Sequence, residues 1–599
     1  MEHTASTPHT GYKTSGDDYY DLGTYGRSVT TSSAEAQLWF DRGLVWSYAF
    51  HHEEAVVCFE AAVRADPDCA MAHWGIAYAL GPNYNKPWEF FDDQDLARTV
   101  ARTHAAVELA HQKAEEAATP VERALIGALR ARYPQTRPAE DCSVWNEPYA
   151  DAMRAVHELA PDDLDVAALY ADALMNLTPW QLWDLRTGGP AEGARTPEAK
   201  TVLDRALAGG SADGHPGILH FYVHLMEMSP TPEAALQVAD RLRGLVPDAG
   251  HLQHMPSHLD VLCGDYRRVV ADNTTAITAD EKYLARSGAM NFYTLYRSHD
   301  YHFKIYGAMF LGQYRTALEA AERLEASIPE ELLRVRSPPM ADWLEAFRTM
   351  RFHVLIRFGR WQDVLEVPPP ADPVLHSVTT AMRHYARGVA LSATGRVPEA
   401  EAERALFLAA VDLVPETRML FNNTCRDILA IASAMLDGEL EYRKGNHDLA
   451  FAALERSVAL DDDLPYDEPW GWMQPTRHAY GALLLERGRV AEAEAVYRAD
   501  LGLDDTLPRP SQHPGNVWSL HGFHECLVRL GREAEARIIA QQLRFATALA
   551  DVPVLASCFC RLDTDAGTDT DAATDTATGT DTGTGNGTTV PSGCCAMDN

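Results

Sequence analysis

From Ala34 onward, apolar and small residues return every three or four positions, as in "AEAQLWFDRGLVWSYAFHHEEAVVCFEAAVRADPDCAMAHWGIAYAL". That spacing lays a single apolar stripe along a helix. Strand-like alternation joined by Asn-Gly or Asp-Gly turns is missing from these runs, so the pattern predicts an all-α fold. Glycines punctuate the helical runs at "CGDYRRVVADN" (Gly264), "LGQYRTALEAA" (Gly312), "FGRWQDVLEV" (Gly359), "TGRVPEAEAE" (Gly395), "KGNHDLAFAALE" (Gly445), "RGRVAEAEAVY" (Gly488) and "LGREAEARII" (Gly531). Successive spacings run from 36 to 50 residues. A glycine just past a helix end supplies the left-handed conformation that closes it. Helix hairpins repeating at such a period predict an α-solenoid.

Residues 1–34, rich in Thr, Ser, Gly and Tyr and without periodicity, read as an N-terminal arm. Residues 35–560 read as the solenoid. Residues 561–599, dominated by "DTDAGTDTDAATDTATGTDTGTGNGTTVPSG", cannot bury a core and are expected to form a disordered, solubilising tail. A repeat array also accounts for a length of 599 residues, which would otherwise suggest several domains. The net charge of -34 argues against nucleic acid or an anionic membrane as a main partner, because both require a basic face. Neither a basic leader with an apolar core nor an uncharged run of about 18 apolar residues is found, so a cytoplasmic location is expected. The ten cysteines show no zinc-finger spacing. "CFC" at 558–560 and "CC" at 594–595 would suit a soft ion such as Cu(I), but free thiols are the plainer expectation.

The unit "EEAVVCFEAAVRADPDCAMAHWGIAYAL" resembles a tetratricopeptide repeat, with small residues where two helices touch and Asp-Pro closing the unit. More narrowly, the chain resembles a widespread family of large bacterial tetratricopeptide-repeat proteins of poorly defined function. The resemblance rests on "DPDCAMAHWGIAYALGPNYN", "HPGILHFYVHLMEMSPTPEAALQVADRL", "AGHLQHMPSHLDVLCGDY", "HDYHFKIYGAMFLGQY" and "YDEPWGWMQPTRHAYGALLLERGRVAEAEAVYRADL". These segments span about residues 36–545, and the HxxxxHxxxH and HxxHMPSH patterns are its most specific part. The resemblance implies a fold, not a reaction.

Chemistry concentrates between residues 215 and 302, which hold eight of the 24 histidines: His215, His220, His224, His251, His254, His258, His299 and His302. His220 and His224 are four apart on an expected helix, so both rings can reach one ion. His299 and His302 are three apart and share a face. Pro256 separates His254 from His258 and is best tolerated in a first helical turn, which puts His258 inside a helix and His254 at its mouth. Pro216 places His215 just outside another helix start, and His251 lies in a Gly-led turn. An all-imidazole shell suits copper, iron, zinc or nickel, and the affinity order favours copper over zinc. So many histidines leave room for two or three ions, or for histidines that orient other ligands. Glu227, three residues beyond His224, can orient a ligand ring or accept a proton, and Tyr222 and Tyr301 are candidate hydrogen-bond donors beside the pairs. A metal-free histidine network and a merely structural role are the competing accounts.

Other candidates stand apart. His52 precedes Glu53 and Glu54, matches a histidine position of the family pattern and is a further candidate ligand, or else a capping residue. His73 reads as core, and Asn83 and Asn85 as pocket-lining. His513, His521 and His524 read as helix packing. The Pro- and Trp-rich segment 461–481 interrupts the repeats and is either a long connection or a lid bringing Glu468, Trp472 and His478 near a ligand. No phosphate loop, GxGxxG, GxSxG or HExxH is present. The expectation is a metal-dependent oxidase or oxygenase, with copper as cofactor and iron or zinc as alternatives. It would act on a small organic substrate, and the Trp-, Tyr- and Phe-rich lining would suit an aromatic one. The alternatives are a protein–protein interaction scaffold whose histidines are structural or hold a structural metal, and a metal-free hydrolase or lyase with a histidine base. The oligomeric state is not legible.

Overall fold

The computed structural model describes residues 19–562, and the expected tail lies outside them apart from its first two residues. Helix hairpins follow one another along the chain, from Ala34–Tyr48 with His52–Ala65 to Val517–Arg529 with Glu533–Thr547, forming an all-α solenoid. The single sheet among the described residues is a two-residue hairpin pairing Met419–Leu420 with Asn423–Thr424. No described helix is long and apolar enough to cross a membrane.

All seven punctuating glycines adopt positive φ, between 64° and 85°. At each turn the amide after the glycine donates to a carbonyl five residues back, for example Gln313 to Ala308 at 2.9 Å and Arg360 to Leu355 at 2.8 Å. This bond satisfies a carbonyl that the helix end would leave unpaired, and it needs a left-handed residue at the glycine position. Residue spacing in the sequence therefore becomes a chain of identical turns, each returning the next helix onto the previous one.

The described part of the arm, residues 19–33, has no helix but lies along the scaffold. Tyr20 and Leu22 are buried, and Arg27 Nη1 contacts Asp163 at 2.7 Å and Asp165 at 2.9 Å. Aromatic rings and one well-paired guanidinium dock it where hydrophobic periodicity gave no signal. Cys558 and Cys560 are joined in a disulfide rather than left as free thiols, whereas Cys58, Cys69, Cys142, Cys263, Cys425 and Cys526 are free.

Two apolar clusters fill the interior, one reaching from Tyr20 to Tyr296 and the other from Val261 to Cys560. The helices Pro256–Leu262 and Thr294–Phe310 contribute to both, and the histidine-rich segments lie at this seam.

The turn geometry predicts unequal costs for adding one methyl group. Gly445→Ala, where a Cβ meets nothing within 4 Å, is expected to lose about 1 kcal/mol from left-handed strain alone. At Gly264 a Cβ would stand 2.4 Å from the Pro514 carbonyl oxygen, so Gly264→Ala is expected to lose at least about twice as much. Equilibrium urea unfolding of the two variants checks this, and equal losses would contradict it.

Candidate metal centre

The helix Pro216–Glu227 is buried along its whole length, and the spacing of His220, His224 and Glu227 turns all three toward the seam. Gly250–His254 and Pro256–Leu262 follow each other as two short helices, with Met255 in a helical conformation between them and Pro256 in a first turn. His251, His254 and His258 consequently lie along one face. Gly250 permits the close approach that seats this segment, since a Cβ there would stand 1.9 Å from Asp280 Oδ1. His299 comes from Thr294–Phe310.

Six histidines and one glutamate converge. Ligand atoms of His220, His224 and His251 all lie within 4.8 Å of one another, as do those of His254, His258 and His299, and those of His224, Glu227 and His258. His220 Nε2 is 3.1 Å from His251 Nε2, and His254 Nε2 is 2.6 Å from His258 Nε2. Two nitrogens bound tetrahedrally to one ion at the usual zinc or copper distances stand about 3.3 Å apart, so the first spacing is close to that of a shared ion.

The opposite ring nitrogens determine which way the lone pairs point. His220 Nδ1 lies 2.6 Å from the Tyr48 carbonyl oxygen, which can only accept. His224 Nδ1 donates to Glu227 Oε1 at 2.9 Å and His258 Nδ1 to Glu227 Oε2 at 2.7 Å, with Glu468 Oε2 in ion-pair contact with the same His258 nitrogen at 2.6 Å. Asn273 commits its amide nitrogen to Ser257 Oγ at 3.0 Å and the Val269 carbonyl at 2.8 Å, so its oxygen faces His254 Nδ1 at 2.7 Å. In four imidazoles Nδ1 therefore carries the proton and Nε2 is turned inward. This is the arrangement by which outer hydrogen bonds orient histidine ligands. The His251 and His299 Nδ1 atoms and His224 Nε2 are buried with no protein partner.

Burial, reinforced by neighbouring imidazoles, holds His224, His251, His254 and His299 well below the usual histidine range, and burial brings His220 down to about 3. These rings are neutral, as ligands must be. Burial acts the same way on His258, but the Glu468 and Glu227 carboxylates override it and lift the group to about 10. Without an ion, a proton on His258 fills its close contact with His254. Burial and the facing Glu468 push Glu227 well above the usual carboxylate range.

The remaining predicted residues lie elsewhere. His215 caps its helix, with Nδ1 accepting from the Ile218 amide at 3.2 Å and Nε2 3.3 Å from Asp165. His302 packs on Phe347 with both ring nitrogens unpartnered, outside the three ligand groups. His52 lies 3.4 Å from Asn83, also outside them. Tyr222 donates to Asp204 at 3.0 Å and Tyr301 to Glu281 at 3.2 Å, both away from the histidines. Two residues of helix rotate a side chain by about 200°, so a tyrosine placed between His220 and His224 must face the other way. Of the interrupting segment, Glu468 reaches His258, but Trp472 packs on His353 and His478 pairs with Asp500 at 3.1 Å.

Sequence reasoning missed Asn273, although a buried asparagine in the apolar stripe of Tyr266–Ser287 is a readable signal. It expected an aromatic lining but did not single out the rings that form it. Phe50, Trp180 and Phe421 are the non-glycine residues with positive φ among those described, at 53°, 59° and 47°. Phe50 lies 4.6 Å from His220, Trp180 6.1 Å from His224 and Phe421 4.7 Å from His299, ring centre to ring centre. Each such conformation costs about 1–3 kcal/mol and persists only where its surroundings enforce it, typically at functional sites.

No family model and no curated protein matches the chain. Among solved structures, it is similar at 11% identity to "Structure of Naa15/Naa10 bound to HypK-THB", over 85% of this chain and 70% of that one, with a TM-score of 0.21. It is also similar at 11% identity to a monomeric mutant of IFIT1 with Gppp-AAAA, over 86% and 91%, with a TM-score of 0.28. A third, "Crystal Structure of P58(IPK) TPR Domain at 2.5 A", matches at 11% identity over 84% and 99%, with a TM-score of 0.19. At these TM-scores the likenesses carry no argument about the chemistry of this chain, which stands on its own residues.

Proposed function

We propose that this chain is a metal-dependent oxidoreductase built on a tetratricopeptide-like solenoid and acting on a small organic substrate. The observation that carries the reading is the anchoring of four imidazoles through Nδ1, which turns their Nε2 atoms into one buried space. His220, His224 and His251 hold one ion, and His254, His258 and His299 hold a second, with Glu227 tying the two sets together. Copper is the first candidate because neutral imidazoles favour it over zinc, and iron and zinc are the alternatives. A redox-active ion held this way supplies electron transfer to dioxygen or substrate.

The chain's own residues orient and enclose. Glu227 and Asn273 hold ligand rings in one tautomer, and Glu468 brings the connection after His447–Asp462 down over His258. Phe50, Trp180 and Phe421 wall the histidines with hydrocarbon, which excludes water and strengthens every polar contact inside. The HxxxxHxxxH and HxxHMPSH segments supply five of the six imidazoles of the two sets.

Elemental analysis after copper(II) loading at neutral pH is expected to give about two equivalents per chain, and about one in each of His220→Ala/His224→Ala and His254→Ala/His299→Ala, with helicity unchanged. Less than about one equivalent in the wild-type chain would overturn the reading and leave a scaffold with structural histidines. Asn273→Ala is expected to weaken copper binding by about 10–100-fold in a competition titration with a chelator, because His254 loses the acceptor that sets its tautomer. Unaltered affinity would remove Asn273 from the centre.

A further inference from the structure

A cavity of about 470 Å³ lies between the helices His52–Ala65 and Asp93–Ala117 and the chain leading into Thr294–Phe310. That is the size of a small-molecule site. Its wall includes Glu53, in the first turn of its helix, together with Lys86, Asp95, Met290 and Phe292. Glu53 and Met290 are exposed and Phe292 is half-buried, so a ligand in the cavity can touch all three.

The charges of this wall are not balanced by the protein itself. Its cations are already committed, Lys86 to Asp95 at 3.1 Å and Arg102 to Glu60 at 2.9 Å. Glu54, a further carboxylate of the wall, is buried and accepts the Tyr19 hydroxyl at 2.7 Å. Glu53 makes no ion pair among the described residues. Its carboxylate accepts the Phe292 amide, at 3.1 Å through Oε2 and 3.4 Å through Oε1. Surrounding protein screens this carboxylate from much of the water and pushes it above the usual range, and Lys86 nearby offsets only part of that. Such a group gains most from a cation that arrives with the ligand. The net charge of -34 adds a field that draws cations toward the chain.

The apolar part of the wall suits the rest of such a ligand. The Lys86 ammonium lies over the Phe91 ring at 4.0 Å and the Phe292 ring at 4.7 Å, so rings of this wall already face a cation. Phe292 thus touches both charges, its amide holding Glu53 and its ring lying under Lys86. An anionic ligand would meet Glu53 without a free cation to offset it. A neutral ligand would leave Glu53 uncompensated and farther from water, which is costly.

We propose that this cavity binds a small organic ammonium, its nitrogen paired with the Glu53 carboxylate and its hydrocarbon body against Phe292 and Met290. The site is separate from the histidine centre and does not depend on a bound ion. Calorimetric titration of the metal-free, full-length chain at neutral pH with benzylamine, benzyl alcohol and benzoate tests it. The three probes share a ring and differ in charge. Benzylamine is expected to bind as a single equivalent, at least about tenfold more tightly than either of the others. Glu53→Gln keeps an acceptor for the Phe292 amide but removes the charge, and is expected to erase about tenfold of the benzylamine affinity. Met290→Trp fills the cavity from an exposed position and is expected to weaken benzylamine as well. Equal binding of the three probes, or tighter binding of benzoate, overturns the proposal. That ranking uses the wild-type chain, so it decides the matter even if a variant does not fold. An unaltered benzylamine affinity in either folded variant overturns the proposal too.

Discussion

One fully buried carboxylate, Glu227, accepts from His224 through one oxygen and from His258 through the other. A carboxylate withdrawn from water is stable only when hydrogen-bonded, and here its partners are imidazoles on two different helices. The same contacts that satisfy Glu227 place protons on the outer ring nitrogens, leaving the inner nitrogen of His224 bare and that of His258 to carry the proton it shares with His254. The interior of the solenoid must therefore accommodate a packed cluster of imidazoles, one of which, His258, holds a second proton at its contact with His254. That requirement explains why so polar a group sits at the seam of two apolar clusters, where neither core is interrupted by it.

The aromatic wall answers the same constraint from the outside. Phe50, Trp180 and Phe421 occupy left-handed conformations that elsewhere in the hairpin turns belong to glycine. Strain of this kind is kept where packing enforces it, and each of these rings covers the histidines. Order at the cluster is thus maintained twice, by hydrogen bonds that set the tautomers and by strained turns that hold the enclosing rings. Glu468, arriving from the interruption in the repeats, closes the remaining side with a second carboxylate on His258.

The fold was legible because it is local. Glycine after a helix end, small residues between paired helices and a spacing of 36 to 50 residues are all properties of neighbouring positions. Much of the centre was legible for the same reason, since His220 and His224 share a face by helix geometry alone. Other assignments required knowing what stood opposite. His215 lies in the same segment but serves as a cap beside Asp165, and His302 is one turn from His299 yet turns to Phe347. Tyr222 and Tyr301 face the outer ion-pair layer, an outcome that helical rotation already implied.

The sequence by itself determined the helices, their turns and the crowding of imidazoles into three nearby segments, because periodicity and capping act over a few residues. Only the tertiary structure decided which imidazoles meet, which nitrogen of four of them bears the proton, and that Phe50 packs against three of them. Those outcomes depend on Tyr48, Asn273, Glu468 and Tyr296. Their positions relative to the histidines are set by the packing of helices distant in sequence, which no local pattern encodes.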